Sequence, residues 1–506
     1  MAEAIGLKVD DPQFWDGGHL RQEVDRIFDI CWSCRLCFKF CGSFPTLFEL
    51  IDGKTETLRA DHLAAHPEIV SAAAARRLAV AATEPVAVPH GHDEVGVTYG
   101  DELPELQGHA RDLSQQEIDR VVDLCFQCKL CYPNCPYTPP HDFALDFPRL
   151  LLRWKAHRTR REGVPVQTRL MRDTSTIGKL ASVAPAVTNW ALNNPANRVA
   201  MEAVVGIDRR KLMPTYHHQT FPQWWAEHRP AVAAAQPLKE GVERPTPMKV
   251  ALFSTCLVDY NDPGVGAAAV QVLEHNGVEV VRPPGQVCCG MPFLDGGDLD
   301  AAAKKIRVNL DVFTPFVEQG YAIVIPSPSC SLMVREEFAQ LVAGPRSQRL
   351  AQRTHDLDEY LYRIAREGRL KRGFQRRFGR IQYHVPCHIR VQNIGIRGRD
   401  LLGLIADQVD CVQECSGHDG TWSMQKAHFD DSLRWGRKAF AGMRATDAGE
   451  PCALACTDCR LAALHIEQGA GRKTVHPVVA LAHAYGFEVD SGGTPLESRP
   501  VEEPTP

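Results

Sequence analysis

The stretch Cys125-Phe-Gln-Cys128-Lys-Leu-Cys131-Tyr-Pro-Asn-Cys135-Pro136 places four thiols within eleven residues. No other part of the chain restricts the fold as strongly. Three thiols this close converge only if a short loop wraps around what they bind, and the fourth must reach further away. A twin lies 94 positions earlier, Cys31-Trp-Ser-Cys34-Arg-Leu-Cys37-Phe-Lys-Phe-Cys41. The likeness extends upstream, where Glu23-Val-Asp-Arg-Ile-Phe-Asp-Ile-Cys31 matches Glu117-Ile-Asp-Arg-Val-Val-Asp-Leu-Cys125. Val24, Ile27, Phe28 and Cys31 recur at helical spacing, as do Ile118, Val121, Val122 and Cys125. That period predicts a helix leading into each cysteine loop. Between the runs, residues 61–82 are expected to be helical, and residues 83–108, rich in Pro and Gly, to be loop.

The chain has 18 cysteines in 506 residues and no secretory leader pattern at its start. A reducing compartment is therefore expected, with cysteines serving metal or redox chemistry rather than disulfides. Zinc sites usually present cysteines as separated pairs, whereas a tight trio suits a soft iron–sulfide cluster. Both runs resemble bacterial two-cluster ferredoxins, in which the fourth cysteine of each run ligates the other 4Fe–4S cluster. The resemblance implies that Cys31, Cys34, Cys37 and Cys135 hold one cluster, and Cys125, Cys128, Cys131 and Cys41 the second. In one departure, Gly42 follows Cys41 where the twin has Pro136. The upstream periodicity favours a helical ferredoxin module, assigned to 1–150.

Residues 149–179 are basic, with Arg149, Arg153, Arg158, Arg160, Arg161 and Arg169 among them. Residues 177–207 mix apolar side chains with Pro185, Asn193 and Pro195. Together, residues 151–228 read as a basic, amphipathic helical connector. It is either a solvated surface or a strip for an acidic partner or anionic lipid. The aromatic stretch with Tyr216, Phe221, Trp224 and Trp225 is expected to pack over the cluster module. Residues 229–247 are a Pro/Ala-rich linker, and 491–506 are expected to be disordered. A net charge of −5 implies no pull towards nucleic acid, and no run of 18 apolar residues occurs.

The remainder reads as one strand–helix pattern used twice, over 248–378 and 379–490. Strands are expected at 248–254, 278–281, 321–325, 380–385 and 409–412, with helices at about 265–276, 299–319, 399–407 and 426–444. Cys387 follows Cys256 by 131 residues, Cys415 follows Cys288 by 127, and Cys459 follows Cys330 by 129. Such alternation implies parallel sheets, with the chemistry at their strand ends.

Cys256, Cys288-Cys-Gly290 and Pro326-Ser-Pro-Ser-Cys330, followed by Tyr383-His-Val-Pro-Cys387-His and Cys415-Ser-Gly-His-Asp-Gly420, resemble the CCG domain in the B subunit of heterodisulfide reductase. The whole layout is similar to the C subunit of anaerobic glycerol-3-phosphate dehydrogenase and to iron–sulfur subunits of glycolate and lactate oxidation. The implied fold is an α-helical ferredoxin module followed by an α/β domain made of two CCG-type repeats. In the family each CCG unit offers five cysteines to a cluster. Here the first repeat offers Cys256, Cys288, Cys289 and Cys330, with Ser327 at a cysteine position. The second offers Cys387, Cys415, Cys456 and Cys459, with Ser416 in the second CCG slot; Cys411 and Cys452 lie nearby. Adjacent thiolates diverge, so Cys288 and Cys289 favour a cluster over zinc. In the second repeat a cluster, zinc and an empty site all stay open. His388 and His418 are expected to be hydrogen-bond partners.

The resemblance implies an electron-transfer subunit of an oxidoreductase. It would carry two 4Fe–4S clusters, with one or two further iron–sulfur clusters or zinc in the CCG repeats. Its partners would be a flavoprotein dehydrogenase and either quinone or a membrane anchor, with the electrons passing towards quinone or another acceptor. The expected location is the cytoplasm or the inner face of the cell membrane. No G-x-G-x-x-G follows a strand, so nucleotide chemistry is left to a partner and no catalytic residue is assigned. Two alternatives are a stand-alone heterodisulfide or thiol reductase and a non-redox zinc-binding interaction protein.

Overall fold

A computed structural model describes residues 6–66, 106–418, 420–444 and 452–501. Residues 67–82 of the expected helix and 83–105 of the expected loop lie outside these. Chain contacts separate two units, Asp16–Cys125 and Met1–Trp15 with Phe126–Pro506.

The Asp16–Cys125 unit is helical. Helix α1 (Gly17–Cys34) starts where Asp16 accepts the His19 N–H at 2.6 Å, and buries Leu20, Val24, Ile27 and Phe28. It ends at Arg35, whose left-handed φ of 53° returns its N–H to the Cys31 carbonyl. Helix α2 (Ser43–Ala65) buries Phe44, Leu47, Phe48 and Ile51. Helix α3 (Gln115–Asp123) begins with a reciprocal Ser114–Glu117 cap and buries Ile118, Val121 and Val122. The predicted period is therefore that of the buried stripes. Lys54 of α2 pairs with Glu117 of α3 at 2.9 Å, and the Arg21 guanidinium donates to the carbonyls of Ala110 and Leu113.

In the larger unit, α4 (Phe147–Glu162) carries much of the basic strip. Its basic residues are not all solvated. Arg153 is buried and donates to the carbonyls of Gln13 and Phe14, while Arg149 pairs with Asp146 at 2.9 Å. Helices α5 (Val166–Arg172) and α6 (Thr174–Ala181) follow. The aromatic stretch departs from expectation. Phe221 packs into the α/β core, with Trp224 and Trp225 against it. An all-apolar face opposite small residues explains this, since a Cβ on Gly266 would lie 2.5 Å from the Phe221 ring.

Two parallel sheets form the α/β part. The first contains β1 (Lys249–Leu252), β2 (Glu279–Val281), β3 (Ala322–Ile325) and β4 (Thr354–Asp356), in the order β2-β1-β3-β4. The second contains β5 (Arg376–His384), β6 (Ala406–Val412) and β7 (Leu454–Thr457), in the order β6-β5-β7. In each, the first strand pairs in parallel with the next two. Alternation along β1 and β3 serves two cores. Val250, Leu252 and Val324 join Ile381 and Tyr383 of the second sheet, whereas Ala251, Ile323 and Ile325 face Phe313.

Strand β4 escapes sequence reading because Thr-His-Asp looks like a turn, yet all three residues are buried. The helix expected over 399–407 spans only Arg397–Leu402, and β6 begins at Ala406. Its edge carries Asp407 and Asp410, paired with Arg377 and Arg380 of β5, so apolar alternation is missing. In the tail, Arg499–Pro500 form β8, antiparallel to β5, and Arg499 pairs with Asp407 at 2.8 Å.

Where the two sheets meet, side-chain atoms of Asp358, Asp458 and His476 lie within 4.8 Å of one another, all buried. Neither oxygen of Asp358 meets a donor, and the Tyr383 hydroxyl donates to Asp458. The Val478 N–H donates to His476 Nδ1 at 3.1 Å, which leaves the imidazole proton on Nε2 and turns a donor, not a lone pair, outward. Protons rather than a cation therefore satisfy this cluster. Burial, reinforced by Asp458, pushes Asp358 well above the carboxylate range and Asp356 up to about 8. The folded chain thus holds these protons to higher pH than the unfolded chain. The contribution of Asp356 is complete below about pH 4, falls as pH rises and is lost as pH passes about 8, and that of Asp358 falls in the same sense. Asp358→Asn, with an amide that donates to Asp458, is expected to stabilise the fold by about 1–3 kcal/mol at pH 8 and to flatten the pH dependence. Unfolding midpoints compared at pH 5 and pH 8 check this; equal losses in both proteins would contradict it.

Candidate metal centre

The two cysteine runs share more than spacing. The residue after the second cysteine is left-handed in each, Arg35 at φ 53° and Lys129 at φ 59°. A non-glycine residue rarely adopts this conformation, and in each run it turns the chain between the second and third cysteines. Cys31, Cys34 and Cys37 are half-buried, with Leu36 and Phe38 beside them each 60% exposed. Within the same unit Cys41 is buried and near Cys125; burial and that neighbour push its thiol up to about 12. Cys128 and Cys131 are buried in the larger unit, and Cys135 is half-buried.

In the first α/β half, β1 runs into Thr255, held at φ 66°, which caps the short helix Cys256–Tyr260. The turn after β2 carries Cys288 and Cys289. Asn309, fully buried, pins it by accepting from the Val287 N–H and donating to the carbonyls of Val287 and Cys288. Gly290, at φ 97°, then starts the helix Met291–Asp295. Cys330 opens out of β3 in the helix Pro328–Leu332. These thiols form one group: Cys288 interacts with Cys256 and Cys289, and Cys289 with Cys330. Hydrogen bonds from Cys256, Cys289 and the Gly290 N–H hold Cys288 well below the ordinary thiol range. The same contact with Cys288, together with burial, pushes Cys256 and Cys289 up. Thr174 of α6 donates to Cys256 at 3.1 Å and reaches Cys288 at 3.8 Å. It comes this close because Gly178 lets α6 lie on Tyr260, where a Cβ would approach the ring to 2.2 Å.

In the second half, Cys387 follows β5 and Cys459 follows β7. His418 Nε2 is 3.6 Å from Cys459 Sγ, and burial holds the imidazole well below its usual pKa. Gly417, at φ 74°, is left-handed as Gly290 is; a Cβ there would lie 2.0 Å from the Ser432 carbonyl. Cys415 accepts the Gly417 N–H at 3.3 Å, and burial pushes it up to about 11. Cys456, expected among the ligands, lies within β7 and packs in the apolar core. Cys452 donates to the carbonyls of Leu454 and Arg380, and Cys411 is half-buried on β6.

The thiols of both halves open onto one cavity of about 180 Å³, whose walls include Cys256, Cys288, Cys289, Cys330, Cys387 and Cys459. Ser327 and Ser416, the two serines at cysteine positions, line it as well, as do Met171 and Ile177 from α5 and α6. The sequence holds no signal for a further contributor: Cys128 of the second cysteine run lies on the same wall. His388 fastens this junction. Its Nε2–H donates to the Gln127 carbonyl at 3.2 Å while the Ser329 hydroxyl donates to Nδ1 at 2.9 Å. Burial, helped by the Lys129 charge, lowers its pKa to about 4, so the ring is neutral and this tautomer is fixed. Soft sulfurs and a largely apolar wall fit an iron–sulfur centre better than a hard cation.

Residues 250–335 match the family described as Cysteine-rich domain, CCG, and residues 104–161 match the Citrate utilization protein B Fer4-like domain. The C subunit of anaerobic glycerol-3-phosphate dehydrogenase from Escherichia coli is 26% identical over 316 residues, 62% of this chain and 75% of that protein. Lactate utilization protein A of Bacillus cytotoxicus and lactate utilization protein A 2 of Bacillus mycoides are each 31% identical over 195 residues, 37% of this chain and 79% of theirs.

Proposed function

Because the chain belongs to the family of lactate utilization protein A, we propose that it is the iron–sulfur electron-transfer subunit of an oxidoreductase. The substrate would be oxidised on a flavoprotein partner, and the electrons would leave towards quinone. The observation that carries this reading is Cys128. It belongs to a ferredoxin-type run and lines the same cavity as Cys256, Cys288, Cys289 and Cys330. Electrons cross packed protein efficiently only over short gaps, and here a single loop serves both sites.

The ligand sets follow the two runs: Cys31, Cys34, Cys37 and Cys135 for one 4Fe–4S cluster, and Cys125, Cys128, Cys131 and Cys41 for the other. The nearness of Cys41 and Cys125 supports the second set. Cys256, Cys288, Cys289 and Cys330 would hold a further cluster, and such centres supply one-electron steps. We read the second sheet as a repeat of the first, in which Cys387 and Cys459, with His418, form a weaker metal site. The half-buried first run, with Leu36 and Phe38 exposed beside it, is the side proposed to receive electrons. Anaerobic co-purification tests the assignment. A flavoprotein should come down with the chain and its substrate should bleach the clusters; a colourless chain without such a partner would refute it.

Among the described residues no helix is long and apolar enough to cross a membrane. The outer surface after α4 is nevertheless apolar: Leu180, Val183, Val187 and Trp190 are between 63% and 82% exposed. We propose that this surface rests on the inner leaflet, with Lys179 and Arg169 towards the lipid headgroups. Val183→Glu with Trp190→Glu is expected to release the protein from vesicles containing anionic lipid by at least about tenfold. Unchanged flotation would contradict the proposal.

A further inference from the structure

Asp295 ends the short helix that follows Cys288-Cys289-Gly290, and it lines the cavity. No role described above uses it. Its Oδ1 is shielded from solvent and meets no hydrogen-bond donor. The position is built rather than incidental. Gly296 and Gly297 follow it, and a Cβ on them would come within 2.1 Å of the Arg172 guanidinium and 2.6 Å of the Lys155 backbone. The helix end is thus clamped between α4 and α5. Four charged groups face Asp295 from four elements: Lys129 of the second cysteine run, Lys155 of α4, Arg172 of α5 and Glu337 of the π-helical turn Met333–Glu337. Glu337 engages Lys129 at 2.7 Å, so the cations left facing the carboxyl are Lys155 and Arg172, and burial opposes their pull. Burial raises Asp295 to about 7, against the pull of Lys129 and Lys155. Behind it, half-buried Lys155 reaches the Asp295 carbonyl with its Nζ at 3.5 Å.

We propose that Asp295 is the proton carrier of the cavity, taking up a proton when the thiol-held centre is reduced and delivering it to a quinone bound there. The quinone part rests on the proposed acceptor; the proton uptake does not. Reduction of a quinone to quinol takes two electrons and two protons. The electrons arrive singly through the iron–sulfur clusters, which are oxidised. With each, the carboxyl O–H of Asp295 breaks, an O–H forms on a quinone oxygen, and the carboxylate is reprotonated from water past Lys155. Two such transfers complete the quinol. A general acid positioned this way contributes about 100-fold or more to rate.

Two measurements on the full chain, loaded with clusters under anaerobic conditions, test this. In the first, redox-difference infrared spectra at pH 7 are expected to contain a carboxyl band that grows on reduction, is absent in Asp295→Asn and is displaced in Asp295→Glu. In the second, reduction of a short-chain ubiquinone is expected to slow about 100-fold in Asp295→Asn and to lose its dependence on pH between 6 and 8. Asp295→Glu should recover part of the rate with a displaced pH profile. If no such band occurs, if it persists in Asp295→Asn, or if the pH profile does not move, Asp295 is only a counter-charge to its cationic neighbours and the proposal fails. If the band behaves as expected but the wild type reduces no quinone, the acceptor is wrong and the proton uptake by Asp295 stands.

Discussion

Replacing Cys288 with serine is expected to cut electron delivery to the final acceptor by more than about 100-fold, beyond what loss of an outer partner of a metal ligand does. Cys288 is the sulfur on which the others converge: Cys256, Cys289 and the Gly290 N–H all stabilise its anion. A serine oxygen is harder and more basic, so it holds iron less well and gathers no such group. The clusters of the two N-terminal runs should still be reduced at the wild-type rate, because none of their ligands changes. Rapid-mixing absorbance separates the two steps. Full turnover in Cys288→Ser would show that electrons do not leave through the cavity. Cys456→Ser is the control, since that side chain packs in the apolar core and does not line the cavity. It should affect stability more than electron transfer.

The largest effect on stability is expected from Lys129→Met. Lys129 is 5% exposed and its partner Glu337 fully buried, with Nζ and Oε1 2.7 Å apart. Burial opposes the charge on Lys129, yet Glu337 and Asp295 keep its pKa above the ordinary value. Removing the cation leaves Glu337 with only Arg149, at 3.5 Å, and an Oε2 that already lacks a donor. Breaking a buried pair from one side costs about 3–5 kcal/mol. Lys129→Met combined with Glu337→Gln should recover a good part of that, because no uncompensated charge remains. Chemical unfolding of the single and double variants measures the coupling. A single variant as stable as wild type would mean that the pair contributes nothing to seating the cluster loop.

The parts of the fold that follow from local rules were legible in the sequence. The helices that lead to Cys31 and Cys125, the strands around Val250 and Ile323, and the turn carrying Cys288 all show a period or a spacing. What was hidden depends on distant partners. Thr354-His-Asp356 pairs as a strand only because β3 lies beside it. Arg153 is an ordinary surface arginine by sequence and a buried donor to the N-terminal segment in the fold. Cys456 and Cys459 look equivalent on a Cys-x2-Cys spacing, but β7 holds Cys456 in the core, whereas Cys459 lies past the strand end at the start of the next helix and lines the cavity. The contributions of Thr174, Cys128 and Asp295 to one wall, from segments up to about 170 residues apart, have no sequence signature at all.

The thiolates of the two runs and of the cavity are expected to hold iron and sulfide rather than zinc or nothing. Protein purified without oxygen should contain about eight irons and eight acid-labile sulfides per chain from the two cubane clusters, with more from the cavity centre. On reduction it should give paramagnetic signals that Cys131→Ser diminishes. Zinc without labile sulfide, or a colourless and iron-poor chain, would contradict the account.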